Sequence, residues 1–138
     1  MKRSALIVTI VPPLGTVLFL CVYPSAAWSV ARIAGLLLLI SGMALVTVAR
    51  VQLGNAFSIS PQATQLVTHG IYSRIRNPVY VFSTIPLAGF ALYLDRPFFL
   101  WLLLVLIPVQ VLRARAEARI LEERFGERYR QYKDSTWF

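Results

Sequence analysis

Long apolar runs alternate with polar breaks along the chain: Ala5 to Tyr23, Ser29 to Ala49, Pro78 to Leu94 and Pro97 to Leu112. A helix needs about 20 apolar residues to cross a bilayer core, so runs of this size read as membrane spans. They also lack the one-faced polarity of a soluble surface helix. The pattern predicts an all-α, polytopic integral membrane protein, one domain over residues 1–138. About four transmembrane helices are expected, near 5–23, 29–49, 78–94 and 97–112. A C-terminal cytoplasmic or interfacial helix over 113–132 follows, with Ala116, Ile120, Leu121 and Phe125 at helical spacing.

Smaller signals refine these elements. Pro12-Pro13 should kink or break the first helix. Gly35, Ser41, Gly42 and Ala44 supply small residues for close packing of the second. Arg50 to Thr64 reads as a polar loop, with Asn55-Ala56-Phe57 as an interfacial anchor and Pro61 ending any local helix. Asp95-Arg96-Pro97 is a tight hairpin turn. The fourth run is short, so it is either extended by the following helix or set in a thinned bilayer. Gly126 ends or bends that helix.

Composition agrees: 57% of residues are hydrophobic, 14% are charged, and the mean hydropathy is +0.64. The net charge of +8 invites a nucleic-acid reading, but its distribution opposes one. With four spans, all 14 basic residues except Arg32 and Arg96 fall on one side. That is the positive-inside pattern, and it places both termini and the middle loop in the cytoplasm. The expected location is a bacterial inner membrane. Cys21 is alone and reads as a small buried hydrophobe. No metal-ligand cluster is visible, and Met1-Lys2-Arg3 leads into a retained helix rather than a cleaved signal.

Leu66 to Tyr80 is the polar stretch that falls between the second and third spans. It holds His69, Gly70, Tyr72, Arg74, Arg76 and Tyr80, and Asn77-Pro78 starts the next helix. Arg113 and Glu117, four apart where the last span ends, share a helix face on the same side. Read alone they are either a surface ion pair, worth about 0.3–0.5 kcal/mol, or a functional pair at the membrane edge. His69 reads as a loop residue. Tyr129 and Tyr132, among Arg124, Arg128 and Arg130, read as a lipid-facing or solvated surface, and Trp137-Phe138 as an interfacial anchor.

Leu66-Val67-Thr68-x-Gly70-x-Tyr72-x3-Arg76-Asn77-Pro78-x-Tyr80 resembles the first signature of the isoprenylcysteine carboxyl methyltransferase family and its bacterial relatives. Arg113-x3-Glu117-x3-Leu121-x3-Phe125-Gly126-x2-Tyr129-x2-Tyr132 resembles the second. Two positions depart from the family pattern. Asn77 replaces a histidine, and Ala118 replaces the second glutamate of a pair.

The resemblance implies S-adenosylmethionine bound by these two segments and a lipophilic acceptor admitted between helices. Carried over by position, Gln62, Thr64, Gln65, Leu66, Val67, Tyr72, Asn77, Pro78, Val79, Tyr80 and Glu117 line the cofactor. Arg76 binds the cofactor carboxylate or a lipid phosphate. Arg113 faces the acceptor, so Arg113 and Glu117 are the expected catalytic pair. The implied activity is O-methylation of a carboxylate on an isoprenylated or other lipophilic molecule. Such a nucleophile is already ionised at neutral pH, which leaves proximity and orientation as the main catalytic terms. The alternatives are N-methylation of a phospholipid amine, a nicotinamide-dependent reductase, and a non-catalytic partner-binding subunit. The expected partners are the acceptor and membrane lipids.

Overall fold

A computed structural model describes residues 3–22, 27–54 and 66–137. Five α-helices follow one another among them: α1 (Arg3–Val22), α2 (Val30–Leu53), α3 (Pro78–Tyr93), α4 (Trp101–Phe125) and α5 (Glu127–Ser135). Single 3-10 turns at Gly70–Ser73 and Pro97–Leu100 lead towards α3 and α4. There is no strand among the described residues. Val30–Leu53 and Phe98–Phe125 are long and apolar enough to cross a membrane, while Thr9–Val22 and Pro78–Tyr93 are shorter apolar helices. All four expected spans therefore appear as helices, two of them at full membrane length. At 16 residues, α3 covers about 24 Å, less than a hydrocarbon core of about 30 Å.

α1 runs through Pro12 and Pro13; each removes one amide donor from the hydrogen-bond ladder, and the turns on either side carry the chain past them. Two expectations need correction. Cys21 is exposed rather than buried. Among the described side chains of α1 only Thr9 is buried, so this helix has little protein around it. Finally, Arg50 to Leu53 is the last turn of α2, not loop. The apolar run stops at Ala49, but a helix stops only where the backbone reverses. Gly54 supplies that reversal at φ 50°, with its N–H on the Arg50 carbonyl. The interfacial anchor at 55–57 and the stop at Pro61 lie outside the described residues.

The α2–α3 pair forms the structural core. A Cβ on Gly35 would lie closer than 3.0 Å to backbone atoms of Tyr93, Gly89 and Leu92. One on Gly89 would crowd the backbone of Leu39, Gly35 and Leu38, and Gly42 sits equally close to Pro86. Lipid tails are as apolar as leucine, so close backbone contact between small residues is what holds such helices together. Leu39, Val46, Ala49, Ala91 and Tyr93 are the buried apolar side chains of this pair. The packing fixes both ends of α3. Pro78 occupies its first position, where a missing N–H costs nothing. At the far end Asp95 takes φ 55°, and Leu94 and Arg96 donate to the Phe90 and Ala91 carbonyls, each at 3.1 Å. These bonds close the expected hairpin turn.

From that turn α4 returns as one 25-residue helix, so the short fourth run is extended by the polar residues after Leu112. None of its side chains is buried. Gly126 then adopts φ 52°, a conformation that residues with a Cβ avoid, and its N–H bonds to the Glu122 carbonyl at 2.8 Å. That bend turns α5 back towards the start of α3.

The backbone contact at Gly35 predicts an asymmetry between two Gly→Ala changes. Gly35→Ala should destabilise the protein by about 1–3 kcal/mol through overpacking. Gly15→Ala, whose added methyl meets nothing within 4 Å, should be neutral or stabilise by up to about 1 kcal/mol through helix propensity. Unfolding midpoints in mixed detergent micelles measure both.

Candidate functional site

The last turn of α2, the turn at Gly70–Ser73, the first turns of α3, the second half of α4 and α5 converge on one end of the molecule. Each contributes polar side chains there. The 3-10 turn is seated on α2 by Gln52, whose Oε1 accepts from the Ile71 N–H at 2.8 Å. Gly70 (φ 61°) lies so close over that amide that a Cβ would strike it. The chain then passes Arg76 and Asn77 into α3, where the Asn77 carbonyl accepts from Tyr80 and Val81 at 3.1 and 3.2 Å.

Tyr80, one turn into α3, donates its phenol to Glu117 Oε1 on α4 at 2.5 Å. This bond links the two signature segments. Arg113, one turn before Glu117, acts on both members of the pair through its charge. It does not ion-pair with Glu117: the ion pairs among the described residues join Arg130 to Glu122 and Glu127. Arg50, at the end of α2, bears electrostatically on Tyr72 and Tyr80 from the other side. Its place in the site was hidden in the sequence by the apparent loop after Ala49.

The most substantial correction concerns α5. Tyr129 and Tyr132 are not a lipid-facing or solvated surface; both are buried. Tyr132 donates its phenol to the Tyr72 carbonyl at 2.6 Å, and Tyr129 bonds with Arg76. The Trp137 N–H donates to the Arg74 carbonyl at 2.9 Å, with the Arg74 guanidinium 5.8 Å from the centre of the Trp137 ring. The C-terminal residues thus strap the turn from below. The bend at Gly126 makes this possible, and the three-residue spacing of the tyrosines was the available signal, since it puts both on one helix face.

The expected site residues sort clearly. Tyr72, Tyr80, Arg113 and Glu117 are brought together, and Pro78 is fully buried beside them at the head of α3. Val67 is buried, and Leu66, Asn77 and Val79 are half-buried along the same segment. Arg76 faces Tyr129 and Tyr132, and its Nε is buried without a hydrogen-bond partner. Thr68 and His69 are exposed. Gln62, Thr64 and Gln65 lie outside the described residues. Missed altogether were Gln52 and a second cross-link between α3 and α4, from Gln110 Nε2 to Ser83 Oγ at 2.6 Å. Isolated polar residues in apolar runs were the signal for that bond.

A family model described as phospholipid methyltransferase matches residues 30–128. The match begins with α2 and ends at the second residue of α5, so it takes in the described segments from α2 through α4, stops short of Tyr129 and Tyr132, and omits α1. No curated protein and no solved structure matches the chain.

Burial holds the phenols of this end in their neutral, donating form. It pushes Tyr132 up to about 12 from the ordinary 10.0, with Tyr129 adding to the effect and Arg76 opposing it. Tyr72 and Tyr129 are raised by the same cause. A folded-state pKa above the unfolded one stabilises fully below pH 10.0, and that contribution is lost as pH rises through about 12. Absorbance at 295 nm should therefore show a late class of tyrosines ionising in that window together with release of α5, and Tyr132→Phe should shrink it. At neutral pH Tyr132→Phe leaves the Tyr72 carbonyl without its donor. The expected cost is about 1–3 kcal/mol, read as faster amide exchange over Glu127–Ser135.

Proposed function

The chain belongs to the phospholipid methyltransferase family, which includes the isoprenylcysteine carboxyl methyltransferase-like membrane enzymes, and from that membership we propose that it methylates a carboxylate on a lipophilic acceptor. The acceptor is an isoprenylated or similar small molecule reached from the bilayer. The basic bias of the loops argues that this end of the helices faces the cytoplasm, and a bacterial inner membrane is the proposed setting.

Methyltransferases of this type generally depend on S-adenosylmethionine, which when bound supplies an electrophilic methyl group on a sulfonium. The residues present fit such a cofactor. Its carboxylate needs a cation, and Arg76 offers a buried Nε with no partner. Its cationic end and hydroxyls need an acceptor, and Glu117 keeps acceptor capacity beyond the one Tyr80 bond. Tyr72, Asn77, Pro78 and Val79 would complete the wall, with Leu66 and Val67 above them and Gln62, Thr64 and Gln65 from the preceding segment. Asn77 can donate a hydrogen bond but cannot titrate, so it would orient rather than move a proton.

The observation that carries the choice of a carboxylate is the Tyr80–Glu117 bond. A carboxylate nucleophile needs no base. Arg113, exposed beside the pair, would hold it, and the short helix seam would keep water away while orienting it. A phospholipid ammonium must first lose a proton, and Glu117 is already bound to a phenol donor. The family's own description favours that second reading, N-methylation of a phospholipid amine, in which Glu117 would receive the proton.

Calorimetry on protein purified in detergent should show S-adenosylmethionine binding. Glu117→Ala and Tyr80→Phe should each weaken it about tenfold or more, as expected for loss of a hydrogen bond to a charged group. Unchanged affinity in both variants removes this site assignment. With a radiolabelled methyl donor and membrane lipid extract, mild alkali should then release the label as methanol. Label that survives alkali establishes N-methylation instead.

A further inference from the structure

Arg76 Nε is buried and has no hydrogen-bond partner. An anion cannot touch an atom that shows no surface, so the Arg76 N–H is out of reach while its neighbours stay in place. For a carboxylate to use it, one of those neighbours has to move. Most of them are fixed. α2 and α3 meet backbone to backbone at Gly35 and Gly89, and the 3-10 turn is tied to α2 through Gln52. α5 is held differently. Its buried side chains are Tyr129 and Tyr132 alone, and both face Arg76. Polar bonds do the rest: Tyr132 donates to the Tyr72 carbonyl at 2.6 Å, and the Trp137 N–H beyond the helix donates to the Arg74 carbonyl at 2.9 Å.

α5 also has a hinge and a latch. Gly126 at its head stands at φ 52° and ψ −121°, a combination that residues with a Cβ avoid. A Cβ there would meet nothing within 4 Å, so no neighbour wedges the bend in place. Across the hinge, Arg130 Nε donates to Glu122 Oε1 at 2.9 Å, and Arg130 Nη1 lies 3.9 Å from Glu127 Oε2. The Arg130 and Glu122 side chains are 62% and 41% exposed. An exposed pair of this kind is weak and yields to water and salt, which suits a contact that has to release.

We infer that α5 is a hinged cover over Arg76: it swings on Gly126, the Arg130–Glu122 pair holds it shut, and its opening admits the anionic group that Arg76 binds. Opening lets α4 run straight on past residue 126. Closing returns Tyr129 and Tyr132 to Arg76 and shuts water out, as closing elements do at other sites. The inference rests on the proposed use of Arg76 to anchor the S-adenosylmethionine carboxylate.

Two measurements on the full chain in detergent test it. The first is amide exchange without ligand. Arg130→Gln should speed exchange over Glu127–Ser135 about twofold to fivefold, the worth of an exposed ion pair. Gly126→Ala should speed it about fivefold or more, because the closed backbone is strained for alanine. Exchange over Pro78–Tyr93 should not change in either variant, and Glu123→Gln, at an exposed carboxylate outside the latch, should change nothing. The second is stopped-flow binding of S-adenosylmethionine. Association and dissociation should both accelerate by the factors seen in exchange, with affinity kept within about twofold, since a cover alters the path and not the site. Unchanged exchange over α5 in both variants overturns the hinge. Faster exchange with unchanged association overturns α5 as the way in, and a loss of affinity without faster association assigns it a purely structural role. A wild type without S-adenosylmethionine affinity overturns the proposed function; faster α5 exchange in both variants then still supports the hinged cover, and its absence overturns that as well.

Discussion

The close approach of α2 and α3 at Gly35, Gly42 and Gly89 is the constraint on which the polar end depends. Packing strength in a bilayer comes from how near two backbones can come. With the two helices in contact along glycine, Arg50 and Gln52 emerge from α2 directly below the segment that enters α3. Gln52 can then hold the Ile71 amide, and Arg50 can bear on Tyr72 and Tyr80. A methyl group inserted high in this seam would move side chains at its far end, because both helices are rigid rods.

α4 is attached on a different principle. It buries no side chain, so hydrogen bonds carry the attachment where packing does not. Tyr80–Glu117 and Ser83–Gln110 pin α4 to α3 at two heights, and the bend at Gly126 lets α5 bind the turn from the opposite direction. A seam made this way can open between its bonds without losing apolar burial, which suits the proposed entry of a lipophilic acceptor from the side. The core pair gives up no such freedom.

Much of this was legible in the sequence because its physics is local. Apolar runs gave the helices, Asn77-Pro78 gave the start of α3, and the glycines of α2 flagged the packing face. Span count and the basic bias put the Glu117 segment on the same side as Tyr80, and the two signatures suggested that they share a site, although nothing local connects residues 37 positions apart. The failures are equally instructive. The last turn of α2 looked like loop because polarity was taken for a helix end, when the reversal at Gly54 sets it. The burial of Tyr129 and Tyr132 was masked by arginines on both sides, whose side chains occupy the other face of α5. Gln110 and Ser83 went unremarked although both are polar residues in apolar runs, and their partnership depends on the register of α4 against α3, which no single segment encodes.

The charge balance of the polar end follows from the groups that face its arginines. Among the described residues, Arg50, Arg76 and Arg113 act on Tyr72, Tyr80, Tyr129, Tyr132 and Glu117, and Glu122 also bears on Tyr129. A phenol orients a guanidinium without cancelling its charge, and burial keeps Tyr72, Tyr129 and Tyr132 from ionising. Had those positions been aspartate or glutamate, the arginines would be neutralised in ion pairs and the end would be stable but inert towards anions. With tyrosines it remains cationic while most of its polar groups are satisfied. The fold thereby holds positive charge in reserve at the membrane edge, where an anionic cofactor group and an anionic acceptor would both have to be held.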